Sequence, residues 1–238
     1  MSYVVRVQHR EAHPPAAVID KIIDFINGLR NYNKVPDKQP ARTIDPLPGT
    51  NKPKADFQMP TTASSWKGIV IHHSESVDHP NANDWESIRH YHTSWRVDRE
   101  IVSEATWKER KASGKGTKFE KPWKAIGYHL GLERDGGKLC VRIGRGWDIA
   151  GAHAGLPSTN EYNEEYLGMC WVGDFDKTPP DQEMWAMGLA VLRTVMDRFG
   201  IPTANIIGHR EVYDRAGVPR EKTCPGSAFN LDTLRSEL

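Results

Sequence analysis

Apolar residues recur along this chain with two periods, and the changes of period mark its elements. Ile19, Ile22, Ile23, Ile26 and Leu29 fall three or four apart behind Pro14-Pro15, which predicts one amphipathic helix of about four turns. From Val35 to Pro60 that period vanishes. Pro36, Pro40, Pro46, Pro48, Pro53 and Pro60 take over, so the stretch reads as an extended linker or a strap over a domain surface. Gly68 to His73 is a short continuous apolar run, the pattern of a buried strand. Asn83 to Trp95 carries Trp85, Ile88, Tyr91 or His92, and Trp95 at helical spacing. Ala125 to Glu133 and Lys138 to Ile143 read as two strands joined by Arg134-Asp135-Gly136-Gly137, and Tyr166 to Val172 as another strand. Thr178-Pro179-Pro180-Asp181 opens a helix with Thr178 as the expected N-cap. Trp185, Leu189, Leu192, Val195, Met196 and Phe199 line its buried face, and Gly200 and Pro202 end it. Ile206-Ile207 is a short strand leading into His209. Hairpin and crossover connections together predict a mixed α/β (α+β) domain over residues 61–238, a central mixed sheet flanked by helices. Residues 1–60 stand apart as a helix plus proline-rich segment.

Composition narrows the classes. A chain of 238 residues suits one sizeable domain with a small appendage. Hydrophobic content of 38% and charged content of 26% fit a globular protein rather than a disordered one. A formal net charge of +1 gives no reason to expect nucleic acid or a membrane surface as the main partner. No stretch approaches the ~18 apolar residues of a membrane span. Met1 to Arg10 lacks the long apolar core of a secretory signal, so synthesis in the cytoplasm without one is expected. Residues 100–124 are polar and basic. From Lys108 to Lys124, Lys108, Arg110, Lys111, Lys115, Lys118, Lys121 and Lys124 face only Glu109 and Glu120. This is either a solvated helix and loop or a local attraction to anionic wall polymer or lipid head groups.

Three cysteines argue against a disulfide framework. Cys140 and Cys170 sit in apolar, strand-like runs and read as buried inert thiols. Cys224 reads as an exposed loop ligand bounded by Pro225-Gly226. Ten histidines make any single one weak evidence. His72 and His73 end a strand, where neighbours point to opposite faces, so only one of them is expected to reach a shared site. His209 ends another strand and Cys224 follows it. His and Cys are the side chains zinc prefers, and three protein ligands leave one position for water, the layout of a catalytic zinc. Zinc lowers the pKa of bound water from ~15.7 to about 7. Lys222 lies two residues before Cys224, on the same side of an extended segment, where a cation would stabilise an oxyanion. Tyr128, in Ile126-Gly127-Tyr128-His129, can hydrogen-bond the same charge or relay a proton. A cysteine hydrolase with Cys224 as nucleophile and His209 as base is the other chemistry. It would lack a helix N-terminus to lower the thiol pKa.

Five motifs occur in one order: Val70-Ile71-His72-His73-Ser74; Trp123 with Ile126-Gly127-Tyr128-His129; Gly151-Ala152-His153-Ala154; Asn163 through Gly168; and Gly208-His209-Arg210-Glu211 with Lys222-Thr223-Cys224-Pro225. Through them the chain, from about Trp66 onward, resembles the zinc N-acetylmuramoyl-L-alanine amidases. That superfamily includes phage-lysozyme-like amidases, bacterial anhydro-muropeptide amidases and animal peptidoglycan recognition proteins. The resemblance implies their fold, and a Zn2+ ion held by His72, His209 and Cys224. It implies catalytic roles for Tyr128 and Lys222. It places His153, Asn163, Trp123 and His73 along the substrate groove, Asn163 in a structural or substrate-lining role. It implies hydrolysis of the amide between N-acetylmuramic acid and L-alanine in peptidoglycan or muropeptides. The lack of a secretory signal and of disulfides fits a phage or prophage endolysin or a cytoplasmic recycling enzyme; the unmatched residues 1–60 and the long segment from Arg96 to Lys121 lean towards the endolysin, and a monomer is expected. A cytoplasmic muropeptide-recycling amidase and a non-catalytic recognition module are the alternatives. Two features depart from the family: Tyr166 stands where a small hydroxyl residue is common, and the segment from Arg96 to Lys121 is longer than in compact members.

Overall fold

The computed structural model describes residues 38–40, 42–44, 54–57, 59, 65–75, 84–156 and 158–238. The expected helix from Pro14 to Leu29 and most of the proline-rich stretch lie outside the described residues. Eleven strands are described: β1 (Lys38–Pro40), β2 (Arg42–Ile44), β3 (Lys54–Asp56), β4 (Gly68–His73), β5 (Trp95–Val97), β6 (Glu100–Val102), β7 (Phe119–Glu120), β8 (Leu130–Asp135), β9 (Lys138–Ile143), β10 (Tyr166–Trp171) and β11 (Ile206–Gly208). The helices are α1 (Trp85–His92), α2 (Glu104–Ala112), α3 (Glu161–Glu164), α4 (Gln182–Phe199), α5 (His209–Arg215) and α6 (Leu231–Glu237).

Six strands form one mixed sheet in the order β1-β9-β8-β10-β4-β11. The β8–β10, β10–β4 and β4–β11 pairs are parallel, while β1–β9 and β9–β8 are antiparallel. Every residue of β4 and β10 is buried, as expected of central parallel strands covered on both faces. β8 and β9 turn through Gly136-Gly137, both at positive φ (57° and 79°), which a two-residue hairpin turn requires.

One face carries α4. Its N-cap is Asp181, which accepts the Met184 N–H, rather than Thr178; two prolines separate Thr178 from the first helical turn. Gly200 ends it in the left-handed conformation. Gly188 is obligatory here, because a Cβ would lie 1.9 Å from the Trp171 ring that packs against this helix. The other face carries α1. Its Trp85 indole is fully buried over Gly131 and Gly144, and its first N–H donates to buried Glu133 on β8 (2.6 Å). Arg142 on β9 pairs with the same carboxylate. α1 is shorter than its sequence pattern: it stops at His92, and Trp95 starts a strand instead.

The basic segment folds as a unit of its own. β6, β5 and β7 form a three-stranded antiparallel sheet, and α2 lies on it through Trp107, between Trp95 and Phe119. Glu100 and Glu104 pair with Arg110 and Lys108, offsetting part of the positive charge. Fully buried Arg96 stacks on Tyr91 and Trp123 and joins this unit to α1 and the stretch before β8. Among the described residues no helix is long and apolar enough to cross a membrane.

Candidate metal centre

Register brings the two histidines together. β11 runs parallel to β4 with Gly208 beside Ile71, so the next residues, His209 just past β11 and His72 still within β4, lie level with one another. Their ring centroids lie 4.5 Å apart. His209 opens α5, a helix that the hydrophobic period did not predict. Cys224 comes from the stretch between α5 and α6, with Sγ 3.7 Å from His72 Nδ1. One nitrogen of each histidine and the sulfur all lie within 4.8 Å of one another, and all three residues are buried. The sequence pointed to an exposed Cys224; it is 8% exposed. The loop turns inward because Phe229 is fully buried against Trp171 and Trp185.

A chain of hydrogen bonds fixes which nitrogen His72 presents. The Tyr166 carbonyl can only accept, so His153 Nε2 donates to it (3.1 Å). Burial pushes the His153 pKa well down, so the ring is neutral and its Nδ1 carries a lone pair. That lone pair lies 3.0 Å from His72 Nε2, which therefore donates. His72 is left with a bare Nδ1 facing Cys224. Gly168 makes room for this relay, since a Cβ there would lie 2.4 Å from the His153 ring.

Both candidate histidine ligands are held neutral. Burial lowers His72 well below its ordinary value, assisted by His209, and burial with the nearby Lys222 charge lowers His209 to about 3. Burial pushes the Cys224 thiol up to about 12, against the backbone N–H of His73 and the Lys222 charge. Two neutral imidazoles and one sulfur, converging in a buried site, match the mixed N/S donor set that zinc takes. A second group, His73, Asp174 and Asp176, also converges. It offers no imidazole lone pair: His73 Nδ1 accepts the Phe175 N–H (3.2 Å), which leaves the proton of the neutral ring on Nε2, towards Asp176. Its carboxylates are engaged by Lys177, Thr223 and Ser227.

The Tyr128 ring lies 5.1 Å from that of His72, just before β8 rather than within a strand. Burial and the neighbouring cysteines hold its phenol well above the ordinary range, so it remains an O–H donor. Lys222 is exposed at the rim, and its charge acts on His72, His209 and Cys224. Glu75, also exposed and following β4, contributes the opposite charge towards Tyr128 and Cys224.

The four expected groove residues have other neighbours. His153 lies behind His72 at 9% exposure. Asn163 is buried, with Oδ1 accepting the His153 and Ala154 N–H groups (2.7 and 2.9 Å). Trp123 stacks on His92 at 4.5 Å, with Arg96 also against its ring. His73 is buried against Phe175. The sequence assigns no role to three further residues, although Arg210 lies within one of the motifs. Arg145 donates to the carbonyls of Ile126, Ala150 and Ala125, bracing the approach to Tyr128. Arg210 and Asp176 grip the Cys224 loop. Apart from Ala150, which follows Arg145 by five residues, their partners lie more than ten residues away, where no local pattern marks them.

No curated protein matches the chain. Among solved structures it is similar to the endolysin N-acetylmuramoyl-L-alanine amidase LysCS of Clostridium intestinale URNW (20% identity, 77% of this chain and 92% of that one, TM-score 0.46). Drosophila PGRP-LB aligns at 22% identity over 72% and 84% of the two chains, with a TM-score of 0.43. A selenomethionine derivative of AmpD aligns at 16% identity over 74% and 86%, with a TM-score of 0.47. The N-acetylmuramoyl-L-alanine amidase family matches residues 62–227, which span β4 through the cysteine loop. The chain belongs to the N-acetylmuramoyl-L-alanine amidase family.

Proposed function

We propose that this protein is a zinc-dependent peptidoglycan hydrolase cutting the amide between N-acetylmuramic acid and L-alanine, with His72, His209 and Cys224 as the metal ligands. One observation carries the reading: in a chain of this family, two neutral imidazoles and a sulfur converge within 4.8 Å in a buried site rimmed by a cation. A zinc ion held there would polarise the scissile carbonyl and supply a hydroxide-like nucleophile from water. The protein's own groups supply the rest. The Lys222 ammonium at the rim stabilises the oxyanion that forms as the carbonyl is attacked. Tyr128, kept protonated, donates a hydrogen bond to that charge or passes its proton towards the leaving amine. Burial around Tyr128 strengthens its hydrogen bond, while Lys222 acts from the solvent-facing rim. A cysteine nucleophile is disfavoured, because a thiol pushed up to about 12 is the opposite of the depressed pKa that chemistry needs.

The test is digestion of purified peptidoglycan with mass-spectrometric analysis of the products, for wild type and Cys224→Ser, each with bound zinc quantified. Peptide stems beginning with L-alanine, released by wild type and lost together with zinc in the variant, are expected. Wild type that holds zinc and binds sacculi yet releases nothing would make this a recognition module. We read the biological role as wall lysis, as by an endolysin, on the basic unit around α2. Clearing of intact sacculi supports this, whereas cleavage confined to soluble muropeptides would point to recycling instead.

A further inference from the structure

We propose that Arg210 and Asp176 are positioning residues that together set Cys224 as a metal ligand, one gripping the acceptors of its loop and the other the donors. This rests on the zinc-site reading. Cys224 lies between Arg215, where α5 ends, and Leu231, where α6 begins, so no strand ladder holds it. Side chains replace the ladder. The Arg210 guanidinium donates from Nη1 to the carbonyls of Thr223 (3.1 Å) and Gly226 (2.6 Å), and from Nη2 to that of Phe229 (3.0 Å). Its backbone N–H donates to the Cys224 carbonyl (2.7 Å). The opposite side belongs to Asp176. Its Oδ2 accepts from the Thr223 hydroxyl (2.8 Å), its Oδ1 from the Ser227 N–H (2.7 Å), and its carbonyl from the Ser227 hydroxyl (3.1 Å).

The chemistry of the two groups makes the grip two-sided. A guanidinium only donates and a carboxylate only accepts. The loop therefore cannot turn about its own axis without breaking bonds on both sides. The anchors are the site's own elements. Arg210 follows His209 in the first turn of α5. Asp176 follows β10 and faces His73, the residue after His72, at 3.9 Å. The backbone N–H of His73 in turn donates to the Cys224 sulfur. The parts that deliver the two histidines thus also fix where the sulfur sits. A guanidinium fork is needed for the carbonyl side, because a lysine ammonium cannot reproduce its planar array of donors. Groups that hold a ligand in place are typically worth 10- to 100-fold in metal affinity.

The experiment titrates metal-free full-length protein with Co2+ and follows both affinity and the sulfur-to-cobalt charge-transfer absorption. It compares wild type, Cys224→Ser, Arg210→Lys, Asp176→Asn, and Arg134→Ala as a distant control. Wild type should show the sulfur band and Cys224→Ser should lose it. If wild type binds Co2+ without that band, the zinc-site reading itself fails. Arg210→Lys and Asp176→Asn should each weaken Co2+ binding about 10- to 100-fold and shift or weaken the band at saturation. Arg134→Ala should match wild type in both. Wild-type affinity and band in the folded Arg210→Lys and Asp176→Asn proteins would overturn the clamp and leave the zinc site standing. If Arg210→Lys does not fold, Asp176→Asn decides alone, since that side chain is partly exposed and its loss leaves the carbonyl grip intact.

Discussion

The histidines and the cysteine of this site are held by different means. His72, near the end of β4, and His209, just past β11, lie level on adjacent parallel strands, so backbone pairing along β4 and β11 fixes their separation. Cys224 lies on an irregular stretch that Arg210 and Asp176 tie down. A strand end shares its load over a ladder of equivalent bonds, whereas this loop depends on a few side chains and isolated backbone bonds such as that from the Arg210 N–H to the Cys224 carbonyl. The histidine half should therefore tolerate the loss of single hydrogen bonds better than the cysteine half.

Removing the sulfur is the harshest way to probe the difference. Cys224→Ser should lose stoichiometric zinc and, with it, several kcal/mol of transition-state stabilisation, on the order of 1000-fold or more in turnover. Chelating wild type should lower its thermal midpoint as well, because a metal that binds only the folded state stabilises it. Turnover and zinc content measured on the same samples decide the first point. A midpoint indifferent to chelation, with zinc demonstrably gone, would show that the loop and strand halves are not tied through metal. Lys222 comes next. It rides on the same loop yet is not a proposed ligand, so Lys222→Ala should keep zinc and lose about 100- to 1000-fold in kcat. Loss of zinc along with kcat would instead make Lys222 part of the loop's support.

The same division explains what could be read from the sequence. The strand bearing His72 and His73, the glycine hairpin of β8 and β9, and the buried face of α4 follow from hydrophobic period and turn residues alone. The mixed sheet follows from their order. Residues of Gly208-His209 and Lys222-Thr223-Cys224 could be singled out by type and spacing. Their supports could not. Arg210 looks like a surface residue until its three carbonyl partners are seen, and Asp176 like an ordinary loop acid. The burial of Cys224 depends on Phe229 finding a place beside Trp171, more than fifty residues upstream. The sequence points to a helix around α2 but not to the small sheet beneath it, because the core of Trp95, Trp107 and Phe119 is too sparse to set a period.

A third experiment asks whether the strand half rests on backbone alone. His129, just before β8, accepts the Gly168 N–H of β10 at Nδ1 (2.9 Å) and donates from Nε2 to the Ile149 carbonyl (2.9 Å). Burial lowers its pKa from 6.5 to about 4; the Ile149 bond opposes this and Arg145 assists it. The folded state thus keeps the ring neutral, while the unfolded chain takes up a proton below about 6.5. The resulting stability is fully present above that pH and is lost as pH falls towards 4. The gap corresponds to roughly 3 kcal/mol. Urea midpoints of metal-free wild type and His129→Gln, compared at about pH 7 and about pH 4, should show a shallower acid loss in the variant. Equal losses would mean that the sheet end does not depend on this neutral imidazole.

The mildest perturbation bears most directly on the contrast. His72 is placed by its strand, but its usable nitrogen is chosen by His153, through a relay that ends on the Tyr166 carbonyl. A backbone can set where an imidazole sits without setting its tautomer. His153→Phe keeps a ring over Gly168 and removes both nitrogens, so His72 loses the acceptor that holds its proton on Nε2. Zinc affinity should fall about 10- to 100-fold, with the sulfur-to-cobalt band retained, because the cysteine loop is untouched. His153→Gln, whose carbonyl oxygen can accept the His72 proton, should recover part of that loss. If both variants bind metal as wild type does, strand register alone suffices for the histidine half, and the contrast with the cysteine loop becomes absolute. If His153→Phe weakens binding and His153→Gln restores it, the two halves differ only in degree, since each then needs a side chain to finish what its backbone begins.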